Sequence, residues 1–364
     1  MLGTTHDIDF LISVGKHGWA SFGDAGTDGD PLPALIACQD HLNWPFLTTQ
    51  LYRHRLMGLA WRLLTGPWTA AGGTLPRGYA LYETWHAATA YRNRRMREEA
   101  ELLIDRLRRA SVEVLLRRGP ALIGDTYADP GVRPMSDLDL LISPGHQERF
   151  THTLTQYGYK TGDLSADKQT IIARSPQADT LPRLLKTTGD PLLPVIIVDA
   201  ATNLSHHTAH HLDCATIFDA ATASTTTPAP VMAPPHLLLD LCLHIYEEST
   251  TLHHVHRGRF QRLMQYVDLL AYLNHAPFAW NAFLEACDND RLRAAAFYAL
   301  GTAQRLYPQA PIPQPALRAL TQTTRLPEDF LDLYGADELS PPARWSLSLT
   351  ERLFTDDLPP APTR

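Results

Sequence analysis

The spacing of hydrophobic residues changes twice along the chain. From Asn43 to Leu64, and again from about Pro76 to Ala110, apolar residues recur at the three- and four-residue intervals of amphipathic helices. The middle of the chain has short apolar runs that are typical of strands. After a segment rich in Thr, Ala and Pro at about 220–235, helical spacing returns. The pattern predicts an α+β fold whose sheet lies between two helical regions.

Five short segments of the central region are predicted to be strands, with the amphipathic helix GHQERFTHTLTQYGY after the second. They are VEVLLRRG (Val112–Gly119), MSDLDLLIS (Met135–Ser143), QTIIAR, PRLLKT and LPVIIVDA. We therefore expect a mixed sheet of about five strands. The predicted division is an N-terminal helical region at 1–95, a core at 96–215, a C-terminal helical region at 230–350 and a disordered tail at 351–364.

Composition narrows the class of protein. The 364 residues are 44% hydrophobic and 20% charged, which is ordinary for a globular chain. A net charge of −7 argues against a protein whose main partner is the nucleic acid backbone, although it leaves a local basic groove open. The four cysteines form no CxxC pair, as suits a reducing compartment. No signal peptide or apolar stretch of about 20 residues is evident, so we expect a cytoplasmic protein without a membrane partner.

Two carboxylates stand out on the second predicted strand. Asp137 and Asp139 flank Leu138, and alternation along a strand puts both carboxylates on one face, roughly 6–7 Å apart. Like charges this close are unfavourable unless they face water or share a cation. Mg²⁺ takes oxygen ligands of this kind together with substrate phosphates. The pair therefore indicates either a metal site or two solvated aspartates at a strand end.

Two further features favour the metal site. The preceding strand ends at Arg118–Gly119, where the lack of a Cβ lets the backbone approach a phosphate closely, and Arg133 follows in the intervening segment. The later apolar strand ends in Asp199, which is either a third ligand or the simple start of a loop. Three carboxylates converging from two strands match a two-metal site for phosphoryl or nucleotidyl transfer.

A longer stretch carries a family resemblance. The segment LLRRGPALIGDTYADPGVRPMSDLDLLISPGHQERFTHTLTQYGYK resembles the nucleotidyltransferase superfamily that includes DNA polymerase beta. More narrowly, it is similar to an uncharacterised bacterial nucleotidyltransferase family with the pattern L-K-G, Y-P-D-P-G-x-R-x-x-S-D-x-D-L-L-V and L-x-x-x-G-Y. With flanking helices that also look like that family, the resemblance covers roughly residues 43–315. It implies a polymerase-beta-like nucleotidyltransferase core.

The resemblance also implies roles for individual residues. Asp137, Asp139 and Asp199 would be the catalytic carboxylates and the metal ligands, with Asp199 ligating the metal that activates the acceptor and accepting its proton. The nucleotide would contact Arg118, Gly119, Arg133 and Ser136. The implied cofactor is Mg²⁺, with Mn²⁺ as the alternative, and a nucleoside triphosphate (NTP) is the implied substrate.

Three positions depart from the family pattern. Arg118 replaces the usual Lys, Pro120 replaces the Ser of a Gly-Ser turn, and Ala201 stands where a His is common. A guanidinium can still bind phosphate, but with a different geometry from an ammonium. These changes leave the three acids intact.

The leading hypothesis is a Mg²⁺-dependent enzyme that transfers a nucleoside monophosphate from an NTP to a small-molecule or peptide acceptor, for example in natural-product tailoring or antibiotic modification. Two alternatives stay open. One is a toxin-like transferase acting on tRNA or protein, although the acidic chain makes nucleic acid the less favoured acceptor. The other is a non-catalytic nucleotide-binding protein of the same fold, suggested by the three departures.

Overall fold

The computed structural model describes residues 3–20, 31–165, 171–173, 181–205, 212–224, 226, 229–258, 261–275 and 277–355. The chain forms two compact units. One comprises Met1–His86 and Leu241–Arg364, and the other comprises Ala87–Asp240. The four regions named from sequence stay a prediction.

Helices make up most of the first unit and also occur in the second. The helices are α1 (Thr5–Ala20), α2 (Leu32–Ala37), α3 (Trp44–Arg53), α4 (Met57–Leu63), α5 (Ala80–Arg109), α6 (Arg118–Leu122), α7 (Gln147–Gln156), α8 (Cys214–Asp219), α9 (Pro234–Thr250), α10 (Leu252–His256), α11 (Leu263–His275), α12 (Trp280–Ala286), α13 (Asp290–Leu306), α14 (Gln314–Thr321) and α15 (Leu349–Phe354). The run predicted as one helix over 43–64 is divided between α3 and α4, where Arg55 takes a φ of 61°.

Among the described residues of the second unit, eight strands form one mixed sheet, so the expected number of about five is wrong. The strands are β1 (Val114–Leu116), β2 (Leu138–Ile142), β3 (Lys160–Leu164), β4 (Ile171–Ala173), β5 (Leu184–Asp190), β6 (Leu193–Ala201), β7 (Thr222–Ala223) and β8 (Pro230–Val231). Their order across the sheet is β4-β3-β5-β6-β2-β1-β8-β7. Two further strands, β9 (Leu333–Tyr334) and β10 (Ala343–Arg344), form a separate pair.

The additional strands lack the pattern on which the sequence prediction depended. β7 and β8 have two residues each and lie in the segment predicted as a linker, yet Val231 pairs in parallel with Leu116. The sequence of β3, KTGDL, is mostly polar and shows no alternation of apolar residues. Pairing with an existing sheet, rather than local propensity, makes these segments strands.

The centre of the sheet places the acidic residues. β2 pairs antiparallel with β1 and parallel with β6, and its residues Leu138, Leu140, Leu141 and Ile142 are buried. Asp139 is the polar residue within this apolar strand. Glu99 of α5 accepts hydrogen bonds from Tyr159 and Lys186, which hold the long helix to this α+β unit.

The helical unit has its own tightly packed core. On α1, a Cβ at Gly18 would lie 2.7 Å from Leu59 Cδ1 and 3.3 Å from Val267 Cγ1, so the absence of a side chain permits the close approach of α4 and α11.

α15 includes the first residues of the predicted tail, whereas 356–364 lie outside the described residues. Within the described ranges, no helix has both the length and the hydropathy needed to cross a bilayer.

Candidate active site

Three carboxylates meet where β2 and β6 lie side by side. Asp139 of β2 and Asp199 of β6 are register partners in the parallel ladder. Asp137 immediately precedes β2, and alternation brings its side chain to the same face as Asp139. Asp137, Asp139 and Asp199 each offer one carboxylate oxygen to a group whose oxygens all lie within 4.8 Å of one another. The sheet therefore builds the acidic cluster that the sequence predicted.

The environment of the cluster disfavours negative charge at Asp139. Burial raises the pKa of Asp139 to about 8, and the carboxylates of Asp137 and then Asp199 add to this effect. Arg118 and Arg117 act in the opposite direction. The nearby arginines thus offset only part of the cost of collecting three acids, and an additional cation would favour the ionised form.

Arg118 lies between two carboxylates. Its Nη1 is 3.7 Å from Asp139 Oδ1, and its Nε is 3.7 Å from Asp240 Oδ1. Its φ of 47° is in the left-handed region that non-glycine residues rarely occupy, so tertiary contacts must maintain it. The residue expected to bind phosphate therefore lies beside one of the acids expected to bind metal.

A buried ion pair supports this arrangement. The Arg117 Nε donates to both carboxylate oxygens of Asp240 at 3.2 Å, and its Nη2 donates to the Leu204 carbonyl at 2.8 Å. Asp240 is completely buried. The Arg117 backbone N–H also donates to the Asp139 carbonyl at 3.1 Å. The residue that forms the buried ion pair is therefore hydrogen-bonded through its backbone to a residue of the acidic cluster.

Gly119 and Arg133 are in contact. A Cβ at position 119 would overlap Arg133 Nη1 and would lie 3.1 Å from Met135 Cγ. Glycine thus leaves the space that the Arg133 guanidinium occupies at the start of α6. The two residues that the resemblance assigned to phosphate binding are neighbours in the fold.

Two other polar residues contact the acids directly. The Ser136 Oγ donates to Asp137 Oδ1 at 2.8 Å, which places this predicted nucleotide contact on a carboxylate of the cluster. Arg183 Nη2 lies 3.3 Å from Asp199 Oδ2, in a pair whose two side chains are each about half exposed. These contacts orient the outer carboxylates.

The predicted site residues are the three carboxylates, residues that contact them, and the neighbouring pair Gly119 and Arg133. The sequence analysis did not identify Arg117 and Asp240. Asp240 had a usable signal, because it is the only charged residue in the apolar run LLLDLCL. A lone carboxylate on an apolar helix face indicates a buried cationic partner. Arg183 had no comparable signal.

Comparison with protein families decides the wider relationship. A family model described as an uncharacterised nucleotidyltransferase matches residues 40–308, which is more than half of the chain. The chain belongs to this nucleotidyltransferase family. Neither a search of curated proteins nor one of solved structures found a match.

The family match confirms the narrower resemblance and gives the acidic cluster a chemical context. In this nucleotidyltransferase the three carboxylates lie inside the matched range, as do Arg117, Arg118, Arg133 and Asp240. The relation to the polymerase-beta superfamily stays a prediction, as do the bacterial origin and the individual roles of these residues.

Proposed function

We propose that this nucleotidyltransferase has a polymerase-beta-like core and transfers a nucleoside monophosphate from an NTP, with Asp137, Asp139 and Asp199 as its catalytic carboxylates. One observation carries the proposal. Carboxylate oxygens from two adjacent parallel strands lie within 4.8 Å of one another in a chain of this family. A cluster of solvated surface acids would not need to bury Asp139, whose side chain is only 16% exposed.

The residues present fit Mg²⁺ or Mn²⁺. All three ligands are carboxylates, the oxygen donors that hard divalent ions prefer. Burial, with the carboxylates of Asp137 and Asp199, raises the pKa of Asp139 more than Arg118 and Arg117 lower it, so a bound cation would favour its ionised form. The chemistry that such an ion supplies when bound is stabilisation of negative charge on the attacking and leaving oxygens.

The protein residues supply the rest of the reaction. The acceptor oxygen or nitrogen attacks the α-phosphorus, its proton passes to Asp199, and the bond from the α-phosphorus to the bridging oxygen breaks to release pyrophosphate. Arg118 and Arg133 bind the β- and γ-phosphates, and the Gly119 backbone permits their close approach. Ser136 orients Asp137 through its hydrogen bond.

The acceptor is proposed to be a small molecule or a peptide, with natural-product tailoring or antibiotic modification as the context. The support is the net charge of −7, which is opposite to the usual charge of proteins that bind nucleic acid. A protein confined to the cytoplasm is consistent with this chemistry, because NTPs are supplied there.

The test measures pyrophosphate release and acceptor labelling with each of the four NTPs in the presence of Mg²⁺ or Mn²⁺. Separate reactions contain small-molecule extract, peptides, tRNA or protein, and mass spectrometry detects an added nucleotide mass. The expected result is labelling of a small molecule or peptide that disappears in the Asp137→Ala, Asp139→Ala double variant. Unchanged labelling in that variant would show that the site is wrongly assigned.

A second candidate has one observation in its favour. The Arg118 guanidinium already lies 3.7 Å from Asp139, so it provides part of the positive charge that a metal would provide. A non-catalytic nucleotide-binding protein could retain such a site. Calorimetric binding of NTP and Mg²⁺ without turnover over long incubation would support this candidate. In the labelling reactions, labelled tRNA or protein would instead support a toxin-like transferase.

A further inference from the structure

One buried amide side chain holds the loop that leads into the acidic cluster. Asn93 lies on α5 and is completely buried. Its Nδ2 donates to the carbonyls of Pro130 and Arg133 at 2.7 and 2.8 Å. Its Oδ1 accepts from the Met135 backbone N–H at 3.1 Å. A single side chain thus binds three backbone groups of the 130–135 loop.

The polar groups of the Asn93 amide all bind the same loop. An asparagine side chain offers two N–H donors and a carbonyl acceptor, and here both donors and the acceptor bind the same loop. Asparagine is a poor helix former compared with alanine or leucine, and a buried amide must be fully satisfied to avoid a penalty. An apolar residue would suit the interior of α5 better if the loop did not require binding.

The bound loop supports two parts of the proposed site. The Arg133 carbonyl accepts from Asn93, and the guanidinium of the same residue lies against Gly119. The Met135 N–H is two residues before Asp137, the first carboxylate of the cluster. The Asn93 amide therefore holds the backbone of Arg133, from which the guanidinium extends, and the backbone just before Asp137.

We propose that Asn93 is a positioning residue of the nucleotidyltransferase site, which sets the 130–135 loop so that Arg133 faces the nucleotide phosphates and Asp137 faces the metal. This inference rests on the proposed function for the identity of the ligands. Asn93 itself does not contact substrate or metal. Its effect passes through three backbone hydrogen bonds.

Two variants separate the hydrogen bonds. Asn93→Asp has nearly the same shape and keeps the acceptor for Met135, but it loses both donors and places a carboxylate against two carbonyls. Asn93→Ala removes all three bonds. Leu107→Ala is the matched control, because Leu107 is equally buried on the same helix and lies roughly 20 Å further along it.

Three measurements are made on the full-length protein and its variants. Hydrogen exchange reports the protection of the Met135 amide, electron paramagnetic resonance of free Mn²⁺ gives metal affinity, and steady-state kinetics separates KM for the NTP from kcat. We expect Asn93→Ala to expose the Met135 amide to faster exchange and to weaken Mn²⁺ binding about tenfold, the lower end of what outer partners of metal ligands contribute. Both Asn93 variants should raise KM for the NTP, and Asn93→Asp should retain more Met135 protection than Asn93→Ala.

A purely structural role would give a different pattern. If the Asn93 variants lose as much thermal stability as Leu107→Ala but keep wild-type Mn²⁺ affinity and wild-type KM, the positioning role is overturned. If the wild-type protein transfers no nucleotide, the proposed function fails instead. The Mn²⁺ and exchange measurements then still decide whether Asn93 sets the geometry of the acidic cluster.

Discussion

Asp139 and Asp199 are directly opposed on two adjacent parallel strands, although 60 positions separate them in sequence. Their alignment depends on the register of β6 against β2. A slip of one residue would turn the Asp199 side chain to the opposite face of the sheet and would separate it from the other two acids. The acidic cluster is therefore a property of strand pairing as much as of the residues themselves.

Removing a charge from this cluster should affect stability and activity in opposite directions. Asp137 raises the pKa of Asp139, so above about pH 8, where Asp139 is ionised, Asp137→Asn relieves a like-charge repulsion in the metal-free protein. In that pH range we expect the melting temperature without metal to rise by about 2–4 °C, corresponding to about 1 kcal/mol. Nucleotide transfer should fall more than about 100-fold, because even outer partners of metal ligands cost 10–100-fold.

The matched control for this experiment is Glu101→Gln, which removes an exposed negative charge from the interior of α5 in the same unit. It should leave both the melting temperature and transfer close to wild type. An Asp137→Asn protein that melts at a lower temperature than wild type without metal would contradict the proposed repulsion.

Gly119→Ala should damage nucleotide binding with little effect on folding. The added Cβ overlaps Arg133 Nη1, which is the mobile end of a long side chain and can move aside at low cost. Its displacement removes a proposed phosphate contact, so we expect KM for the NTP to rise about tenfold, equivalent to about 1.4 kcal/mol. Gly66→Ala is the control, since a Cβ there meets nothing within 4 Å. An unchanged KM would place the phosphates elsewhere.

The acidic cluster could be predicted because its signals are local. Alternation puts Asp137 and Asp139 on one face, and the apolar run before Asp199 identifies a buried strand. What the sequence could not supply was the parallel pairing of these strands, since pairing depends on contacts between distant segments. At the sequence level, only the family resemblance implied that Asp199 joins the other two acids. The parallel register of β2 and β6 shows how it does so, since it places Asp139 opposite Asp199.

The contacts of Arg118 could not be predicted from the neighbouring sequence. Nothing near Arg118 in sequence distinguishes a guanidinium that binds phosphate from one that lies beside Asp139 and Asp240. The left-handed φ of Arg118 likewise follows from tertiary contacts. Asn93, in the charged run YRNRRM, looks like a solvated residue until the 130–135 loop is placed against it.

Breaking the buried ion pair should be costly. Asp240→Ala removes the carboxylate that accepts from the Arg117 Nε and leaves that guanidinium buried, with the carbonyls of Asn203 and Leu204 as its hydrogen-bond partners among the described residues. We expect the free energy of unfolding in urea to fall by about 3–5 kcal/mol. Asp105→Ala breaks an exposed pair with Arg109 and should cost less than about 1 kcal/mol. Equal losses in the two variants would show that burial adds nothing to the Arg117 pair.

A buried histidine makes the stability of the helical unit depend on pH. His54 Nδ1 accepts from the Leu263 N–H at 3.2 Å, while Nε2 lies 3.1 Å from the Leu353 carbonyl and must donate to it. This pattern requires the neutral imidazole, because the protonated ring has no acceptor for Leu263. Burial lowers the pKa of His54 to about 3, and the positive charge of Arg53 adds to this effect.

The direction of the pH effect follows from proton binding in the two states. In the unfolded chain His54 takes up a proton near its ordinary pKa of 6.5, whereas in the folded protein it does so only near pH 3. The unfolded state therefore binds more protons between these values, and the free energy of unfolding should fall as pH is lowered from 6.5 towards 3. The contribution of this one group is at most about 1.4 kcal/mol per pH unit. Urea unfolding at a series of pH values measures it.

His54→Asn removes the titrating group while its side-chain oxygen can still accept from Leu263, so its stability should depend less steeply on pH than that of the wild type. His152→Asn replaces an exposed histidine and should keep the wild-type slope. Because the carboxylates titrate in the same range in all three proteins, only the difference between slopes belongs to His54. If His54→Asn and His152→Asn had the same slope, the neutral buried imidazole would not be what links folding to pH.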